Sequence, residues 1–410
     1  MVNFTGHSGS APGAVPKGSM ILSGSTLFGF TSTGGSNDYG VIFSVNTDGS
    51  GYNVVHHFSG PSNTDGNTPH HGYLTLLDDT IIRPMLNGGA SGQGTIFSVT
   101  TSGSNQTPVY TFTGSSAAPT SLGDGAQPHS GMLAGAGGTY YGMTAAGGAH
   151  GGGVLYSFSA STGAVTSLYS FDPTTGSNSH GQLIWDSTGT KLLGMTRQGG
   201  TGTGNSNTSN EPPGTIFSFN PQTSEYTTLF NFNAAVADSP YYTDHGILTL
   251  GTGTNSTTVF GMTEFGGTND DGAIFAISET GGSITTLHSF SGSSDNGKHP
   301  FGSLTLGPNG LLYGMTRDGG TSDDGVIFSI AQDGTGFTLL ASLDNTTGIN
   351  PIDNLTFSAD GLTLYGLTQN GGTDNQGTIF SLAIPEPSAS TLCALGAVAT
   401  GLAALRRRRR

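Results

Sequence analysis

The chain has 410 residues, a net charge of −15, 70 glycines and only 9% charged residues. This is neither the charged composition of a disordered tail nor the G-X-Y period of collagen. Only 11 residues are Lys or Arg, and five of those end the chain, which argues against a nucleic-acid partner, since phosphates must be neutralised. An acidic surface of this kind suits cations, neutral glycans or plain solubility. Cys393 is the one cysteine, so packing and hydrogen bonds must hold the fold without an intrachain disulfide.

The opening MVNFTGHSGS has no basic n-region and no apolar h-region of a signal peptide. MVNFTG instead matches the end of a later segment, TLHSFSG at 286–292. Only about half of such a strand is present. The natural start is therefore expected upstream, with the rest of the strand and an export signal.

A pattern then recurs seven times. Its paired glycines are Gly34-Gly35, Gly88-Gly89, Gly147-Gly148, Gly199-Gly200, Gly266-Gly267, Gly319-Gly320 and Gly371-Gly372. In six copies, four residues separate the pair from a glycine that opens a run such as GVIFS or GTIFS. The fourth copy carries the longer insert TGTGNSNTSNEPP there. Each unit holds four strand-like bursts, and in the sixth they read GSLTL, LLYGMT, GVIFSI and GFTLLASL. PNG and a DG turn separate the outer pairs as hairpin signals, and the Gly-Gly loop joins the middle two. Four antiparallel strands in a unit of about 50 residues mark a propeller blade.

The predicted fold is all-β: a seven-bladed β-propeller with four-stranded antiparallel blades over 1–383. After the seventh GTIFSL the chain reaches Pro385 with no fourth strand, so the amino terminus is expected to supply it and close the ring. The second unit reads IIRPM where others read LYGMT. Pro84 lacks a ladder donor, which predicts a bulge or a poor blade there.

Two kinds of loop should emerge on one face. The crossovers into the innermost strands carry His71, His129, His180, His245 and His299, predicted to ring one mouth of the central channel. The Gly-Gly loops carry Asp38, Asp270, Asp271, Asp323, Asp324 and Asp374. Imidazoles with carboxylates outside them suit a divalent cation or a polar glycan. Calcium is the ion considered for Asp270, Asp271, Asp323 and Asp324, and no other cofactor is expected. Each group has a structural role open beside the binding one. Asp closes turns through its own side chain, and a crossover His can bond a neighbouring carbonyl. Phe43, Phe97, Tyr156, Phe217, Phe275, Phe328 and Phe380 share one repeat position and are assigned to the core between blades.

Catalytic motifs are absent. There is no G-x-S-x-G, H-E-x-x-H or P-loop, and no loop has the alternating acids and closing Glu of an EF-hand. Glu is rare, at 211, 225, 264, 279 and 386, and nothing nominates a carboxylate pair for glycoside hydrolysis. The expectation is a protein that is not an enzyme. Its rival is a secreted carbohydrate-active hydrolase or lyase built across the blades.

The tail, 384–410, differs from all this. Pro385, Glu386 and Pro387 precede residues 388–405, which carry no charge. As a helix they would span roughly 27 Å, near the thickness of the hydrocarbon core. Arg406, Arg407, Arg408, Arg409 and Arg410 would stop that transmembrane helix on the cytoplasmic side.

Two family resemblances follow from these residues. The units at 27–45, 140–158, 259–277, 312–330 and 364–382 resemble the tandem GloVer repeat family of exported bacterial proteins, which implies propeller-like repeats and no particular activity. The order Pro-Glu-Pro, apolar stretch, arginine cluster resembles the PEP-CTERM sorting signal. That resemblance implies export, retention in the inner membrane and processing by an exosortase-type enzyme. Such proteins belong to the cell surface or extracellular polymer, with polysaccharide as a candidate partner.

Overall fold

The computed structural model describes residues 2–60, 65–67, 69–115 and 122–384. Six sheets of four antiparallel strands each run in chain order from the innermost strand outward, a seventh sheet has five strands, and Gly297–Lys298 pairs with Asp318–Gly319 in a separate two-stranded sheet. In the sixth, Thr305–Leu306, Leu311–Thr316, Val326–Ala331 and Thr338–Ser342 pair in that order.

The seventh sheet is completed from the other end of the chain. Val2–Asn3 pairs with Thr378–Ala383, placing Val2 opposite Ile379. The Phe4 amide then donates to Gly377 O at 3.0 Å. The same bond recurs in every blade, for example Phe58 to Gly40 and Phe290 to Gly272. Phe4 is fully buried, as are Phe58, Phe112, Phe171, Phe232 and Phe290 at the equivalent position. The amino terminus thus fills a repeat position and supplies the outer strand that closes the ring of seven.

The repeat aromatics lie between blades as expected. Phe43, Phe97, Tyr156, Phe217, Phe275 and Phe328 are all but fully buried. Each sits opposite one residue of the second strand, which is glycine in six blades, as in Gly314 opposite Phe328. A Cβ on Gly314 would come within 2.5 Å of that ring, so the ring takes the space a side chain would fill. In the second blade this residue is Arg83.

That blade corrects one expectation. Pro84 pairs in register with Ile96, and no bulge interrupts Thr80–Met85 against Thr95–Thr100. The innermost strand pairs only as far as Ile82, so Pro84 lies past the end of that ladder. The blade's register shift falls between Ile96 and Phe97 against the outermost strand, where five other blades shift too. The transmembrane helix expected over 388–405, with its flanking Pro385-Glu386-Pro387 and Arg406 to Arg410, lies outside the described residues. Among the described residues no helix is long and apolar enough to cross a membrane.

Candidate functional site at one mouth of the channel

Six crossovers end in a glycine just before the innermost strand: Gly18, Gly72, Gly131, Gly181, Gly246 and Gly302. Here neighbouring blades approach too closely for side chains. A Cβ on Gly181 would lie 2.2 Å from Gly246 O, and one on Gly302 would lie 2.0 Å from Asp353 O. In the seventh blade Asp353 takes the glycine's place, and its Oδ2 accepts from Gly72 N at 2.7 Å.

This waist sorts the histidines by register. His71, His180 and His245 stand one residue before their glycine, and His129 stands two before. These four converge. The rings of His71 and His245 stack with centroids 3.4 Å apart, those of His129 and His180 at 3.9 Å, and His180 lies 4.8 Å from His245. His299 stands three before Gly302 and does not join them. Its Nδ1 bonds Asp318 Oδ2 at 3.0 Å and its ring meets the edge of Phe265. Phe301 occupies its blade's place beside His245, at 4.8 Å.

Sequence reasoning missed several members of the site. His70 lies 4.4 Å from His71 and 5.2 Å from His129. Lys17 Nζ reaches His70 Nε2 at 3.2 Å. Arg83 is fully buried, donates to the carbonyls of His70, His71 and Tyr73, and lies over Phe30. Asp244 Oδ1 meets Arg197 Nε at 2.5 Å and His180 Nδ1 at 3.1 Å. Arg317 bonds Glu264 and Asp318 and covers Phe301. The signals for Arg83 and Asp353 were present, since each replaces a glycine that the other units keep. Of the six Lys and Arg that precede the tail, Lys17, Arg83, Arg197 and Arg317 stand around this mouth.

Burial sets the charge states. It pushes His70 down to about 3, with Lys17 adding to the effect. His71, His129, His180 and His245 are lowered for the same first reason. All five are therefore neutral imidazoles at neutral pH. Burial raises Asp353 to about 7 against the pull of Gly72 N–H and Arg83. Burial alone would raise Asp244 as well, but His245, His180 and Arg197 hold it well below the usual carboxylate range. Several buried ring nitrogens have no hydrogen-bond partner: Nδ1 of His70, His71 and His129, and both nitrogens of His245. One nitrogen from each ring lies within 4.8 Å of the others in two triads, His70–His71–His245 and His129–His180–His245.

The loop aspartates are engaged differently. Asp270 Oδ1 accepts from Gly266 N at 2.9 Å and from Tyr241 at 2.7 Å, and Oδ2 accepts from Asn207. Asp323 Oδ1 accepts from Gly319 N at 2.9 Å, and Lys298 lies against the same carboxylate. Asp38 does the same with Gly34 N. All three have positive φ, the conformation that closes the Gly-Gly loop. Asp271 and Asp324 follow them in the same loops.

Past the waist the channel opens into a cavity of about 350 Å³ lined by Tyr73, Gln182, Ile247, Ser303 and Asn354. A wider groove of about 660 Å³ lies among turns such as Pro308–Gly310 and Ser358–Gly361. It holds a single carboxylate, Asp360, which already bonds Ser358 and Leu362 N. The convergence of titratable groups belongs to the histidine mouth alone among these three.

Fold and site together define a closed seven-bladed propeller with a polar, histidine-lined mouth. The chain belongs to the Gloeobacter/Verrucomicrobia repeat family, which it matches over residues 1–206 and again over 202–404. No curated protein matches it. Among solved structures it is similar to the extracellular domain of a hybrid two component system from B. thetaiotaomicron, at 12% identity and a TM-score of 0.56, covering 91% of this chain and 38% of that one. A protein described as a 6-phosphogluconolactonase from Bacteroides fragilis is similar at 15% identity and a TM-score of 0.51, covering 90% and 98%. A puromycin-hydrolyzing peptidase from Mycobacterium tuberculosis is similar at 10% identity and a TM-score of 0.53, covering 91% and 50%. At such identities the likeness shows the fold, and the fold leaves function to the site.

Proposed function

We propose that the chain is an exported, non-catalytic binding propeller whose histidine mouth takes a polar glycan of the extracellular polymer. One observation carries this reading: in an acidic chain, four of six basic residues before the tail and five histidines converge on one mouth. Lys17 supplies a cation for an acidic sugar. Arg317 and Arg197, each lying over an aromatic ring of Phe301 or Tyr242, supply further cations at the mouth. The carboxylates at the mouth are held by cations or imidazoles, as Asp244 is by Arg197 and Glu264 by Arg317, which favours binding over acid–base chemistry by a carboxylate pair. The rival reading, a carbohydrate-active hydrolase or lyase, draws on the neutral imidazoles, which can accept a proton.

A glycan array on the purified chain, run beside a turnover screen on the same glycans, tests the reading. Saturable binding that weakens in Arg197→Ala and Phe301→Ala without product formation supports it. Cleavage products that disappear on substituting one mouth residue would sink it in favour of the rival.

Export and sorting belong to the same proposal and rest on the tail sequence. The chain is held in the inner membrane through 388–405 until an exosortase-type enzyme acts near Pro385-Glu386-Pro387, and is then released to the surface. Replacing Arg406 to Arg410 with alanine should change the fraction in which the protein is found. An unchanged distribution would count against the sorting role.

A further inference from the structure

We infer that His70, His71 and His245 form a binding site for one transition-metal ion of the zinc class, independent of which glycan the mouth accepts. Three observations meet here. First, each of the three rings has a buried nitrogen without a hydrogen-bond partner, and His71 and His245 are only 3% and 6% exposed. A buried polar atom left unmade costs about 1–3 kcal/mol, so three such rings side by side call for a common partner. In the other triad both nitrogens of His180 are already engaged, by Asp244 and Asn178.

Second, the backbone is bent to bring these rings together. Consecutive residues of an extended chain project to opposite sides. His71 instead has φ of +37°, a conformation that favours glycine, and its ring stays within 4.4 Å of that of His70. Strain of this sort persists only where the surroundings impose it and gathers at functional positions. Arg83 imposes it by donating to the carbonyls of both histidines.

Third, the surroundings suit coordinated imidazoles. Asp353 Oδ2 lies 3.7 Å from His71 Nδ1, and Asp244 Oδ2 lies 3.4 Å from His245 Nδ1. With Asp244 behind its Nδ1, His245 is left to ligate through Nε2, and a carboxylate so placed orients the ring and raises its basicity. It also offsets the charge of a bound cation beside Lys17 and Arg83. Three neutral nitrogen donors suit zinc, cobalt, nickel or copper, whereas calcium and magnesium require oxygen donors. His70 is part-exposed, so a further coordination position faces the mouth.

The test uses the full chain without a polyhistidine tag, titrated calorimetrically with zinc chloride and spectroscopically with cobalt chloride. One ion per chain should bind, calcium should not compete, and zinc should raise the melting temperature of the native protein. His70→Gln, His71→Gln and His245→Gln should each weaken zinc binding at least tenfold, whereas His299→Gln should bind as the parent does. His70→Gln keeps the carbonyl held by Arg83, so it reports even if the buried variants fold poorly. Absence of stoichiometric binding to the parent would overturn the inference. So would binding unchanged in His70→Gln but lost in His129→Gln, which would assign the ion to the other triad. Glycan binding measured with and without chelator keeps this outcome separate from that of the proposed function.

Discussion

The rings of His71 and His245 stack 3.4 Å apart although their residues enter from the second and fifth of seven blades. These blades are not neighbours, so the contact spans the channel mouth and ties separate parts of the ring together. Such a contact exists only when the ring is closed and every blade between them is in register.

The stability of the protein should fall as the pH drops from 7 toward 5. His70, His71, His129, His180 and His245 all have lowered values in the folded state. Below about pH 6.5 the unfolded chain takes up protons that the folded chain refuses. Asp353 opposes this, because its raised value makes the folded form the better proton binder between its ordinary range and about 7. Five groups outweigh one, at about 1.4 kcal/mol per pH unit for each histidine that participates fully. Urea midpoints at pH 7, 6 and 5 measure the slope, and it should flatten in a His70→Gln/His129→Gln double variant. A flat profile in the parent would mean that the imidazoles are not held neutral.

Restoring the repeat consensus at Arg83 should damage the fold. Arg83→Gly leaves the carbonyls of His70, His71 and Tyr73 without their donor and Asp353 without its buried counter-charge. Each buried carbonyl left without a donor costs about 1–3 kcal/mol. Arg83→Lys should rescue little, since an ammonium lacks the planar fork that reaches several acceptors. Chemical denaturation of both variants checks this, and a loss below about 1 kcal/mol in Arg83→Gly would contradict it.

Closure by the amino terminus should be worth a large share of the stability. Phe4 packs edge-on against Phe43 at 5.3 Å and Tyr52 at 6.1 Å. Phe4→Ala should cost about 3–5 kcal/mol, as for other buried Phe truncations. Phe58→Ala, in an interior blade, should cost a similar amount. A Phe4→Ala variant as stable as the parent would show that the ring does not depend on that strand.

The loop aspartates should separate within one turn. Asp270→Ala removes the acceptor for Gly266 N and Tyr241 Oη and places alanine at φ of +61°. A loss of about 1–3 kcal/mol is expected. Asp271→Ala should stay within about 0.5 kcal/mol, as for ordinary surface substitutions. A melting temperature that drops on adding a calcium chelator, and recovers with calcium, would instead give these loops a calcium-binding role.

Much of the fold was legible because the repeat states it seven times. Paired glycines, hairpin turns and the GxIFS run set the strand order, and MVNFTG matches the end of a fourth strand by residue pattern alone. The site was legible only in part. His71, His129, His180 and His245 are recognisable as crossover histidines, and His299 differs from them only by standing three residues before its glycine. Pro84 looked disruptive because the end of the inner ladder is not visible in a single strand.

The number of blades, their strand order, the core aromatics and the separate character of the tail follow from local patterns along the chain, since each is stated by residues close to one another in sequence. Which histidines meet, and that Arg83 and Asp353 serve them, is set by the closure of the ring. Closure also gathers the scattered basic residues at one mouth. These contacts depend on the angle between blades that are distant in the chain, and no local pattern encodes that angle.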